Sequence, residues 1–154
     1  KCDAVKLEGG KKIVNQIKLL IKNKIPVMGH LGLLPQSTKG KFRSKGKTEK
    51  EIKQLISDAL LLQKNGVFAI VLECIKTPIA KQITKNLDIP TIGIGSSVHC
   101  DGQVLVTDDL IGLNQTNIKF VKKFINVKKY INTGLKKFAL EVRSKKYPTK
   151  KYSY

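Results

Sequence analysis

No apolar run in this chain approaches the roughly 20 residues that a bilayer-spanning helix needs, which argues against a membrane protein. The start carries no signal-peptide pattern. It also has no initiator Met: the chain opens Lys1, Cys2, Asp3 and runs at once toward a strand, as a domain cut from a longer protein would. Cysteine is sparse and odd in number. Cys2, Cys74 and Cys100 include no CxxC pair and meet no histidine spacing that suits zinc, so a reducing, cytoplasmic setting is expected. Arginine is scarcer still, at Arg43 and Arg143 only, so the net charge of +19 is almost entirely lysine. A basic surface attracts phosphates. Nucleic-acid readers, however, lean on arginine's bidentate fork and on interleaved aromatics, both lacking here. The lysines are spread over every predicted helix rather than gathered on one. With the many Ile and Asn, this composition fits a coding sequence biased toward A and T, and nucleic acid is not an expected partner.

What remains is a chain of 154 residues with 41% hydrophobic content, enough for one domain with a real core. Residues 67–74 (VFAIVLEC) organise it. The turn signal Asn65-Gly66 precedes an apolar run free of Gly and Pro, which reads as a strand covered on both faces, as in a parallel sheet. The run ends on Glu73. An acid at the carboxyl end of a buried parallel strand stands where α/β proteins place their chemistry. The plain alternative is a first solvated residue or a lysine partner.

The rest of the chain alternates. Residues 3–8 (DAVKLE) form a strand whose period of two puts Lys6 and Glu8 on one face, ahead of Gly9-Gly10. Opposite charges so placed can hold an anion and a metal together, or make a surface ion pair worth ~0–1 kcal/mol. Residues 11–23 are an amphipathic helix. Residues 25–30 (IPVMGH) form a second strand, and His30 stands where it opens into GHLGLLPQS, flanked by Gly29 and Gly32. A lone histidine is more often structural than catalytic; the glycines suggest close backbone approach. Residues 38–47 are a lysine-rich loop. There GKFRSKGKT (40–48) imitates a phosphate-binding loop but has five residues, not four, between its first Gly and GKT, which spoils the amide register. Residues 48–65 form a helix with Thr48 and Glu51 as capping box and Gly66 as stop. Thr77 and Pro78 open a shorter helix as N-cap and N1. Residues 89–95 (IPTIGIG) are a fourth strand, with Ser96-Ser97 in a turn suited to an anion. Residues 103–113 are a strand or a short helix. Residues 117–125 and 127–144 read as terminal helices, the second with Tyr130, Ile131, Leu135, Phe138, Ala139 and Val142 as a core face. Residues 1–146 are read as one catalytic domain and 147–154 as a frayed basic tail.

Four strands, each followed by a helix, predict parallel βα units. The noteworthy polar residues, Lys6, Glu8, His30, Glu73 and Ser96, gather at the carboxyl ends. Scattered surface charge would not choose one end consistently. A closed eight-stranded barrel takes about 250 residues, so this chain supplies only part of one.

In order, KLEGG (6–10), GHLGLLPQS (29–37), VLEC (71–74), IPTIGIG (89–95) and DGQVLV (101–106) closely resemble the C-terminal portion of ketopantoate hydroxymethyltransferases. The resemblance runs from the first residue to near the C-terminus. It implies the C-terminal part of a (βα)8 TIM barrel, about four to five βα units plus terminal helices. The implied reaction moves a hydroxymethyl group from 5,10-methylenetetrahydrofolate to 3-methyl-2-oxobutanoate, giving 2-dehydropantoate and tetrahydrofolate in pantothenate biosynthesis. Mg2+ is the implied metal and a homo-oligomer the implied assembly. By resemblance, Glu8 matches a metal ligand, Lys6 a contact to the 2-oxo acid, and Glu73 the proton acceptor; His30 lines the site as a further substrate contact. The sequence departs from the family where Ser96-Ser97 replace the usual Ala-Gly, and in a loop over 38–47 about two residues shorter than usual. The family's other metal-binding aspartates lie on earlier strands outside this chain, so 1–154 alone is expected to be inactive. A Mg2+-dependent 2-oxo-acid lyase or mutase is the competing enzyme reading, and a basic nucleic-acid-binding domain the non-enzymatic one.

Overall fold

The structure, a computed structural model, describes residues 2–36, 43–115 and 117–154. The imitation phosphate loop, the lysine-rich loop and the end of GHLGLLPQS therefore fall partly outside the described residues. The chain divides into two compact units, Lys1–Val104 and Leu105–Tyr154.

The first unit is a parallel sheet in sequence order, β1-β2-β3-β4-β5, with every neighbouring pair parallel. Its elements are β1 (Val5–Glu8), α1 (Val14–Lys22), β2 (Val27–Gly32), α2 (Glu49–Lys64), β3 (Ala69–Glu73), α3 (Thr77–Asn86), β4 (Thr91–Ile94) and β5 (Gly102–Gln103). The organising run is thus a central strand, ending on Glu73 as expected. Three of the four expected strands lead into a helix. The fourth leads instead into β5, through a short link tied down by Asp101, whose Oδ2 accepts from Thr91 N at 2.8 Å and Thr91 Oγ1 at 2.9 Å.

Register sorts the side chains. In a parallel ladder, paired residues point to the same face and alternate residues to opposite faces. Val27, Leu31, Ile70 and Leu72 point to the helix side, where Ile17 of α1, Leu62 of α2 and Ile83 of α3 close the core. Six of these seven side chains are essentially solvent-free, and Leu31 nearly so. Lys6, Glu8, His30, Val71 and Glu73 fall on the other face.

The helix ends follow local chemistry. Thr48 Oγ1 accepts from Glu51 N at 3.2 Å, so the cap at α2 is as expected. The Glu51 carboxylate reaches the amides of Gly46 and Lys47 (3.1 and 2.9 Å), and these bonds hold its pKa below the usual carboxylate value. Gly66 takes φ +86° and ends the helix, as a C-terminal glycine does. At α3 the cap is Lys76, which moves Thr77 and Pro78 one position further in than expected.

The second unit contains α4 (Thr107–Leu110) and α5 (Val127–Arg143). The ambiguous 103–113 stretch holds the last residue of β5, then α4, so both readings were partly right. The helix expected over 117–125 does not form. Val121 N closes only a local turn on Ile118 O at 3.0 Å, and Phe124 N bonds outward to Leu110 O, as Val127 N just beyond does to Ile111 O, both at 2.9 Å. α5 is a helix as expected, capped by Asn126, but its apolar face is not a core. Tyr130, Ile131, Leu135, Phe138 and Val142 are all exposed, Leu135 at 61%. The tail is not frayed throughout: Lys150–Tyr152 make a 3-10 turn, and Tyr147 packs between Phe138 and Tyr152. Among the described residues, no helix is long and apolar enough to cross a membrane.

Candidate active site

The sheet register brings four of the predicted residues together. Glu8 is paired with His30 across β1–β2, and His30 with Val71 across β2–β3, two residues before Glu73. Lys6 shares the face of Glu8. The resulting cluster is tight. Lys6 Nζ lies 3.1 Å from His30 Nδ1 and 3.8 Å from Glu8 Oε1. His30 Nδ1 is 3.7 Å from Glu8 Oε1, and His30 Nε2 is 3.2 Å from Glu73 Oε2. The imidazole is therefore the hub between two carboxylates that come from strands on either side of it.

Glycines make the close approach possible. Gly32 has φ +102°, and a β-carbon there would collide with the Glu73 carbonyl oxygen. Leu33 N donates to that same oxygen at 2.9 Å, so the ends of β2 and β3 are drawn together at the point where Glu73 emerges. The expectation of close approach beside His30 is met, and what approaches is the neighbouring strand. On the other side, Gly9 N donates to His30 O at 3.0 Å. Lys11 N donates to Asp58 Oδ1 at 2.9 Å, and Gly10 leaves room for the Asp58 side chain. Asp58 thus anchors the turn that follows Glu8. Nothing in the sequence flagged it, because its partner lies in another βα unit.

Burial shapes the electrostatics. His30 is 2% exposed. Burial first, then the Lys6 ammonium, push its pKa below the ordinary 6.5, against weaker opposing pulls from Glu8 and the Leu33 carbonyl. Burial and the neighbouring ammonium both disfavour the charged ring. Glu73 shifts the other way: burial, then the negative charge of Glu8, raise its pKa above 4.5, partly offset by Lys6. A carboxylate made more basic than usual, at the mouth of a parallel sheet, is what proton abstraction requires. Burial and Glu73 also raise the Cys74 thiol, which disfavours a nucleophilic thiolate there.

Glu8 is the residue here that suits a hard cation. Its Oε2 receives one long bond, from Gln36 N at 3.2 Å, which leaves acceptor capacity. Mg2+ is often held by one or two carboxylates, with substrate and water filling the remaining positions. Among the described residues no group of three or more His, Cys, Asp or Glu forms a complete cage, so this carboxylate fits one ligand of such a site. Ser96 and Ser97 do not join the cluster. Ser96 Oγ donates to Ile75 O at 3.2 Å, and Ser97 is buried with its Oγ accepting from His99 N at 3.2 Å.

Comparison with known proteins identifies the family. The ketopantoate hydroxymethyltransferase family profile matches residues 1–150. A 3-methyl-2-oxobutanoate hydroxymethyltransferase of Pelagibacter ubique is 60% identical over the whole chain, which covers 60% of that protein. Proteins of the same name from Saccharolobus solfataricus and Clostridium botulinum are 47% and 46% identical, over 97% and 98% of this chain and 57% and 56% of their own lengths. The chain thus spans somewhat over half the length of the curated relatives it matches, and it belongs to the ketopantoate hydroxymethyltransferase family.

Proposed function

We propose that this chain carries the proton-abstraction part of a hydroxymethyl transfer from 5,10-methylenetetrahydrofolate to 3-methyl-2-oxobutanoate, giving 2-dehydropantoate. The observation that carries the proposal is Glu73: a carboxylate made more basic by burial, meeting Lys6, Glu8 and His30 on one face at the carboxyl ends of parallel strands. In this reading β1–β5 are consecutive strands of an eight-stranded barrel, and the face bearing the cluster is its interior.

The keto acid is an anion whose C3 proton is weakly acidic. Lys6, with its side chain 44% exposed, offers a point charge to the substrate carboxylate. Glu73 takes the C3 proton, a contribution of ~10²–10⁴-fold for a positioned base. The carbon so activated bonds to the methylene carbon, both bonds of that carbon to folate nitrogens break, and a water molecule supplies the hydroxyl; the C3 proton and one water proton end on the two nitrogens of tetrahydrofolate. Glu8 would be one ligand of a Mg2+ ion. That ion, when bound, supplies positive charge beside the 2-oxo group as negative charge develops there.

The direct test uses the protein at full family length, with substrate in heavy water. Glu73→Gln abolishes deuterium exchange at C3 while the fold is kept; undiminished exchange removes Glu73 from this role. A lyase or mutase of the same chemistry would show turnover without the folate. Residues 1–154 alone are expected to turn over poorly, and substantial activity from them would contradict the barrel reading.

A further inference from the structure

The neighbours of His30 determine where its imidazole carries hydrogen. Lys6 Nζ lies 3.1 Å from Nδ1. An ammonium group has three donors and no acceptor, so Nδ1 must offer its lone pair. The hydrogen then belongs to Nε2. That atom is buried and stands 3.2 Å from Glu73 Oε2, but off the N–H axis, so it has no aligned hydrogen bond. The competing acceptors are weaker. Glu8 Oε1, at 3.7 Å from Nδ1, is beyond hydrogen-bond reach. The Leu33 carbonyl favours protonation of the ring, the weakest of the four influences on it.

We propose that Lys6 fixes His30 in the Nε2–H tautomer, and that this N–H holds one oxygen of Glu73, so that His30 positions the base rather than contacting the substrate. The proposal rests on the reading of Glu73 as base. Completing the bond requires the Glu73 oxygen to come onto the N–H axis, and catalytic hydrogen bonds are commonly misaligned before substrate arrives. With one oxygen tied to the imidazole, the other is left for the C3 proton. Lys6 then serves twice: one donor sets the tautomer through Nδ1, and the others remain for the substrate carboxylate.

The chain has only two histidines, His30 and His99, so two-bond proton–nitrogen spectra of the 15N-labelled chain are readily assigned with His99→Gln as reference. At neutral pH, His30 should show a protonated Nε2 and a bare Nδ1. Lys6→Met should move the hydrogen toward Nδ1, and Lys6→Arg should leave it on Nε2. A native ring protonated at Nδ1, or at both nitrogens, overturns the proposal, as does a Lys6→Met spectrum identical to the native one. These spectra do not depend on turnover, so they can fail while Glu73 remains the base, or hold if the transferase reading falls. In the full-length protein, His30→Gln keeps an N–H donor and should retain kcat roughly tenfold or more above His30→Leu, with KM for the keto acid unchanged in both. Equal losses of kcat in the two variants, or losses confined to KM, also overturn it.

Discussion

A β-carbon on Gly32 would meet the carbonyl oxygen of Glu73 head-on. The two residues are register partners across β2 and β3, and the absent side chain is what lets the strands close where the carboxylate emerges. Gly32→Ala therefore forces both a strained φ and a collision. It should lower stability by roughly 1–3 kcal/mol, read from denaturant midpoints. In the full-length protein it should also reduce C3 exchange, because Glu73 is displaced. A midpoint unchanged from the native chain would show that the β2–β3 contact is not as tight as described.

The clasp at Thr91 should be visible in acid. The Thr91 amide, then its hydroxyl, hold the Asp101 carboxyl below its usual 3.8. A group whose folded pKa is depressed contributes stability above its unfolded value and loses it as pH falls through the folded one. Native stability should therefore fall from about pH 4 downward more steeply than that of Asp101→Asn. At neutral pH, Asp101→Ala leaves the fully buried Thr91 amide without its partner, at a cost of roughly 1–3 kcal/mol. Parallel acid limbs in native and Asp101→Asn proteins would rule out the linkage.

Glu8 raises the Glu73 pKa, second only to burial. In the metal-free chain, a carbon-detected titration of the Glu73 carboxyl should have its midpoint above 4.5, the ordinary value. Glu8→Gln should lower that midpoint without restoring it fully, since burial remains. A midpoint that stays put would mean the two carboxylates do not sense each other.

Core and surface should separate cleanly by energy. Ile70 is fully buried, so Ile70→Ala should cost ~2–5 kcal/mol. Leu135 on α5 is 61% exposed, so Leu135→Ala should change stability by no more than about 0.5 kcal/mol. Urea unfolding of both variants measures the contrast.

The central strands were legible because burial on both faces writes itself as an unbroken apolar run, as in residues 67–74, and the polar residue that ends such a run marks the rim. Period two then placed Lys6 with Glu8. The hub role of His30 was not legible, since register between strands is a tertiary property and a lone histidine carries no spacing to read. Asp58 was invisible for the same reason. The terminal region misled in two ways. Apolar spacing over 117–125 imitates a helix, yet the Phe124 amide bonds to the Leu110 carbonyl at the end of α4 instead. The stripe on α5 predicts the helix correctly, but amphipathicity shows only that a face seeks cover, not that this unit provides it.

Among the described residues, β1 is hydrogen-bonded along one side only, to β2, yet it supplies Lys6 and Glu8. Half the polar cluster thus rides on an edge strand of this chain, while His30 and Glu73 sit on strands clasped from both flanks. Outermost strands exchange and fray at lower free energy than the interior. On warming, this chain should therefore release Lys6 and Glu8 from the cluster before the β2–β3 pair that carries His30 and Glu73 comes apart.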